Sequence, residues 1–164
     1  MNFSTQTSHA LHEDHRAILD LLGRAEQALV RAPRGDGART PDLMKLMAAL
    51  GRSLEHDIDR HFGFEERELF PRLNQAGDGA IAALLFEEHE AIRAVAQELL
   101  PLASAAAAGS LDAAGWDALK RDALEMVERQ VAHIQKEEMA LLPILDDLLD
   151  DETDRQLAFD YAAS

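Results

Sequence analysis

The chain has 164 residues, enough for one domain with a buried core, and 31 acidic against 16 basic side chains give it a formal charge of −15. That excess of acid argues against nucleic acid and against an anionic membrane surface, both of which are recognised through clustered Lys and Arg. Cysteine is absent, which excludes disulfides, thiolate ligation, iron–sulfur clusters and thiol catalysis, so any metal must be held by nitrogen and oxygen.

The opening MNFSTQTSHALHEDH has no basic stretch followed by an apolar run, and so does not read as a signal peptide. No segment approaches the roughly 20 apolar residues of a membrane span, and the default compartment is the cytoplasm. A first helix is expected to start near Thr7 or Ser8 as its cap and to carry Leu11, His15, Ile18, Leu19, Leu22 and Leu29 on one stripe. It stops at the loop APRGDGART. Thr40-Pro41, a capping Thr before a Pro at the first helical position, opens the second. That helix carries Leu43, Met47, Leu50, Leu54 and Ile58, and then His61, Glu65, Leu69 and Leu73, so two polar residues occupy core positions. Pro71 should bend its end or open it into irregular structure before Gly77-Asp78-Gly79.

The third helix carries Ile81, Leu85, His89, Ile92, Val95 and Leu99 and runs out near Gly109-Ser110. The fourth carries Leu119, Met126, Gln130, His133, Glu137, Leu141 and Ile144, with Pro143 near its end. Residues 1–164 thus read as a single all-α domain, an up-down-up-down four-helix bundle over about 8–148 with a short acidic tail at 149–164. Seven acids and one Arg between Asp146 and Asp160 suggest a solvated helix end, and neither Trp116 nor Tyr161 sits in a pattern.

HFGFEERELFPRL, from His61, and HIQKEEMALLPIL, from His133, are two copies of one pattern: a His, a Glu four residues on, a second Glu, and the frame L-x-P-x-L. A four-residue step on an α-helix is about 400°, so each His/Glu pair lies within roughly 40° on one face. Upstream, EDHRAILDLL around His15 matches EEHEAIRAVA around His89. His15 lies about 21 residues before the middle of the first loop and His61 about 25 after it; His89 and His133 stand about 20 and 24 from the middle of the third. At about 1.5 Å per residue, all four His reach one level of a bundle.

Four imidazoles and two carboxylates exceed one tetrahedral zinc, whereas two ions bridged by two carboxylates, each with two His and room for water, oxo or a small ligand, use them all. Glu66 and Glu138 are expected to be solvated or to support the ligands. His12 is a candidate extra donor at the mouth of the site, read first as a partly exposed His. His9 and His56 are bystanders. Asp14 and Glu88 are candidates to accept the outer N–H of the His that each precedes. Phe62, Phe64, Phe70 and Phe86 are expected to pack around the ligands as core. No Ser/His/Asp order, phosphate loop or dinucleotide fingerprint is present.

No Glu stands three residues before any His, which separates the chain from ferritin-like carboxylate proteins. The constellation resembles instead the hemerythrin-like, HHE cation-binding family, with a His on each of four helices and His-x-x-x-Glu on the second and fourth. The resemblance spans about residues 8 to 148 and implies a non-haem di-iron centre, carboxylate- and oxo- or hydroxo-bridged, on His15, His61, Glu65, His89, His133 and Glu137. It implies binding, sensing or reaction with O₂, peroxide or NO, or a stress response. The alternatives are a di-iron peroxidase or oxidase, an iron-handling or repair protein, and a bundle that the site only stabilises. A purified sample could hold zinc or another divalent ion. Oxygen carriers have a fifth imidazole at a four-residue step on the third helix; here Leu85 and Arg93 flank His89, which favours reactivity or sensing over reversible carriage. Oligomeric state is left open.

Overall fold

Alanine, leucine, glutamate and arginine favour helix over strand, and the computed structural model, which describes residues 2–164, is helical from Gln6 almost to its end, with no strand among the described residues. The first arm is α1, Gln6–Arg31. After a 3₁₀ turn at Gly35–Ala38, the second runs unbroken through α2 (Pro41–His56), π-helical turns at Asp57–Phe62 and Glu65–Leu69, and α3 (Phe70–Ala76). The third is α4, Gly79–Ala107. The fourth joins α5 (Ala113–Lys136), a π turn at Glu137–Leu141 and α6 (Leu142–Leu148). A further helix, α7, spans Asp151–Ala163. α1 packs on α2 and on α5, α2 on α4, and α4 on α5, so the four arms close into a ring.

Thr40 caps α2 by accepting from the Leu43 N–H, as its sequence predicts. The cap of α1 is Thr5, not Thr7 or Ser8. The helix starts earlier because α7 supplies an acceptor: the Asp154 carboxylate takes the Gln6 N–H at 2.8 Å, the Thr7 N–H at 2.9 Å and the Thr7 hydroxyl at 2.8 Å. The Ser8 hydroxyl donates to the Leu142 carbonyl.

Pro71 does not open the second arm into irregular structure. In a regular α-helix its ring would strike the carbonyl four residues back. The π turn just before it widens the backbone, and the Phe70 N–H reaches the Glu65 carbonyl five residues back. The Leu142 N–H reaches Glu137 in the same way, ahead of Pro143. The repeated L-x-P frame therefore encodes a π turn, and each turn begins on the first Glu of its copy of the repeat, Glu65 or Glu137. Gly77, at φ 97°, ends α3 with the Asp78 N–H returning to the Leu73 carbonyl, a left-handed cap suited to glycine.

The core is in two parts. One, toward the α1–α2 loop, includes Leu22, Leu29, Met47, Leu54, Leu99, Trp116 and Met126; the other includes Leu11, Leu69, Leu73, Leu85, Leu141 and Leu145. His15, His61, His89 and His133 form a polar layer between these apolar floors, since each arm changes from one cluster to the other at its His. The expected solvated tail is instead docked: Asp154, Leu157 and Tyr161 of α7 are buried, on a 3–4 spacing that turns one face to α1.

Candidate metal centre

Each of the four arms brings one imidazole to the polar layer, and the two heads of the π turns bring Glu65 and Glu137. All six side chains are buried, both carboxylates with 0 % exposure. They group as two overlapping sets, His15, His61, Glu65 and Glu137, and Glu65, His89, His133 and Glu137. The sets share both carboxylates.

Within each set the imidazoles face each other through Nε2, at 3.2 Å for His15 and His61 and 3.1 Å for His89 and His133. Glu137 Oε2 stands 2.9 Å from His15 Nε2, and its Oε1 stands 2.9 Å from His133 Nε2. Glu65 Oε1 lies 3.1 Å from His61 Nε2 and its Oε2 3.2 Å from His89 Nε2. Each carboxylate thus offers one oxygen to each pair of imidazoles. Two donors about 2.1 Å from one ion at roughly a right angle stand about 3 Å apart, so every pair fits a shared cation.

The four oxygens of Glu65 and Glu137 are buried without a hydrogen-bond partner. Such atoms cost several kcal/mol each in an apolar layer unless a cation compensates them. In the protein alone, protons play that part. Burial opposes the charge on His15, but the nearby carboxylates of Glu137 and Glu138 outweigh it and raise the ring to about 9. Burial likewise opposes the charge on His89, and Glu137 and Glu65 lift it to about 10. His61 is raised well above its ordinary value by Glu65 and Asp14 against the same desolvation. Burial and Glu137 push Glu65 up, and His61 more than reverses them. Glu137, which faces all four rings, is held well below its usual value despite burial.

The outer nitrogens are held by acids from neighbouring arms. His89 Nδ1 meets Glu66 at 2.8 Å, His133 Nδ1 meets Glu88 at 2.9 Å, and His15 Nδ1 meets Glu138 at 2.6 Å. Glu88 thus orients an imidazole as expected, but that of His133 on the next arm and not that of His89, while Asp14 stays 3.8 Å from His61 Nδ1; a residue adjacent along a helix points about 100° away, toward the next arm. His12 shares Glu138 at 2.8 Å and stays outside both sets. His9 and His56 are exposed. Phe62 stacks on His89 with ring centres 3.8 Å apart, and Phe70 lies 5.5 Å from the same ring. Phe64 packs on Tyr161 rather than on a ligand. Phe86, three residues before His89, turns outward and is 45 % exposed, contrary to expectation.

Two features escaped the sequence. The Tyr161 hydroxyl lies 3.0 Å from His61 Nδ1 and donates to Asp14. One turn before His61, buried Asp57 accepts from Gln130 Nε2 at 3.0 Å; burial holds that carboxyl above its usual value despite His61 and Gln130. The Asp154/Leu157/Tyr161 spacing could have signalled the first, and Gln130 in an apolar stripe the second.

A family model described as Hemerythrin HHE cation binding domain matches residues 6–145, and no curated protein matches the chain. No helix among the described residues is long and apolar enough to cross a membrane.

Proposed function

The chain belongs to the hemerythrin HHE cation-binding family, and on that premise we propose that it is a non-haem di-iron protein that binds, senses or reacts with O₂, peroxide or NO. The observation that carries the reading is the pair of buried carboxylates, each presenting one unpartnered oxygen to each of two imidazole pairs. His15 and His61 would hold one ion, His89 and His133 the other, with Glu65 and Glu137 bridging. Four donors per ion leave positions free on ions that take five or six ligands. Two redox-active ions would supply electrons and open positions to a small oxidant.

This chain's own residues set the conditions for that chemistry. Outer carboxylates fix His15, His89 and His133 with Nε2 inward and increase their basicity, and the Tyr161 hydroxyl stands at the outer nitrogen of His61. Phe62 and Phe70 cover His89, and Leu11, Leu69, Leu85 and Leu141 form an apolar wall that keeps water from the layer. His89 has no second imidazole beside it on α4, which favours reaction or sensing over reversible carriage.

Metal analysis with optical and Mössbauer spectra, on protein prepared aerobically and anaerobically, tests the proposal. Two iron per chain, with charge-transfer absorption growing in when O₂ meets the reduced protein, is the expected result. Stoichiometric zinc that iron cannot replace under reducing conditions would overturn it. Multiple turnovers with peroxide that vanish in His89→Ala would move the reading from ligand binding to catalysis.

A further inference from the structure

The acids around the centre run in a ring, each arm holding the imidazole of the next. Glu66 on the second arm holds His89 on the third, Glu88 on the third holds His133 on the fourth, and Glu138 on the fourth holds His15 on the first. Asp14 on the first arm should close the ring on His61. It does not reach: the nearest approach to Nδ1 is 3.8 Å. The reason is in the repeat, where EDH around His15 stands against EEH around His89. Asp14 is one methylene shorter than its counterpart Glu88.

The gap is filled from outside the bundle. The Tyr161 hydroxyl takes the His61 Nδ1–H at 3.0 Å and passes its own hydrogen to Asp14. Its ring is 2 % exposed and packs on Phe64, with centres 4.7 Å apart. Arg60 lies over its face at 4.2 Å and donates to its carbonyl at 2.8 Å. Asp154, two turns earlier on α7, is tied to the start of α1. α7 lies beyond the residues 6–145 matched by the family model.

We infer that Tyr161 is a positioning residue of the metal centre, whose hydroxyl holds the His61 ring in place of a carboxylate and makes the His15/His61 half the weaker of two ion positions. A phenol oxygen, even one donating to a carboxylate, accepts an N–H less strongly than a carboxylate does. His61 is therefore the poorest donor of the four rings. The inference rests on the two-ion reading above.

Cobalt(II) titration of the full-length metal-free chain, followed by visible absorption and by competition with a chelator, separates the two. The wild type should take two cobalt ions in resolved steps. Tyr161→Phe should weaken the weaker step by about 10–100-fold and shift its absorption bands, leaving the tighter step unchanged. Tyr161→Phe with Asp14→Glu should restore it, because the longer acid spans the gap. Asp14→Asn, at a partly exposed position, should weaken the same step less, and Glu88→Gln should weaken the tighter one instead. Tyr161→Phe that leaves both steps alone or weakens both equally, or a double variant without recovery, overturns the inference while leaving two-ion binding intact. A wild type that takes no cobalt overturns the two-ion reading itself.

Discussion

Glu137→Gln is the most demanding single substitution that the site offers. The side chain keeps its size and loses the charge that faces four imidazoles, at 2.9 Å for His15 and His133 and 3.8–3.9 Å for His89 and His61. On the two-ion reading each ion would have four protein donors, so Glu137 would be one donor in four at both positions. An amide oxygen can replace it at only one of them, and without charge. Losing an outer carboxylate costs about 10–100-fold in metal affinity, and a bridging ligand must cost more. The expected loss is beyond 100-fold for at least one ion, about 2.7 kcal/mol or more. In the metal-free protein the same change strips the buried imidazolium groups of their counter-ion. Breaking a buried ion pair costs about 3–5 kcal/mol, and rings that shed their protons keep the figure near the lower end. At roughly 2–4 °C per kcal/mol for a chain of this size, Tm should fall by about 6–12 °C. Chelator competition and thermal unfolding, with and without metal, measure both effects. The reasoning fails if Glu137→Gln keeps two ions within about tenfold of wild-type affinity, or if Glu138→Gln does more damage than Glu137→Gln.

Metal uptake should expel protons, because His15 near 9 and His89 near 10 are both protonated at about pH 7 in the metal-free state. Calorimetry in buffers of different ionisation enthalpy should count at least two released, with affinity rising toward pH 9; proton-neutral binding would contradict the pairing described. The raised imidazoles stabilise the metal-free fold fully below about 6.5 and lose that contribution as pH climbs through about 9 to 10. The lowered Glu65 and Glu137 contribute above about 4.5 and lose it on further acidification, so the Tm measured with chelator should fall from pH 6 to pH 10. Phe62→Ala removes the ring stacked on His89 and should cost about 3–5 kcal/mol, read as a lower denaturant midpoint at constant slope. Asp154→Ala removes the acceptor of the Gln6 and Thr7 amides and should cost about 1–2 kcal/mol, with faster hydrogen exchange at those two positions; unchanged protection would show that α7 does not hold the start of α1.

What a sequence exposes is periodicity within one helix. The duplicated His/Glu pairs and the matched lone His lie on single faces, so the six side chains that meet in the polar layer could be picked out with no knowledge of neighbouring arms. Thr40-Pro41 could be read for the same reason, since a cap is a local contact. The ring that each outer acid holds could not, because Glu66, Glu88 and Glu138 act on rings in other arms, and that depends on how the arms are rotated about one another. The π turns were hidden too: a proline inside a helical pattern announces strain, and widening the turn before it is only one of the ways to relieve it. α7 failed to register because its buried face holds just Asp154, Leu157 and Tyr161 in a stretch otherwise rich in acid.

The internal repeat makes the points where the halves differ the most informative positions in the chain. Glu66 and Glu138 are equivalent, yet Glu66 shares its charge with Arg93 at 2.8 Å and Glu138 with His12 at 2.8 Å. Asp14 and Glu88 are equivalent, yet one needs a phenol to reach its imidazole and the other touches it directly. The second difference weakens the outer shell of the His15/His61 half, since a hydroxyl is a poorer acceptor than a carboxylate. A symmetric cage would give two ions the same surroundings. On the two-ion reading these departures would give them unequal ones, while Glu65 and Glu137, common to both sets of donors, would keep the two positions coupled.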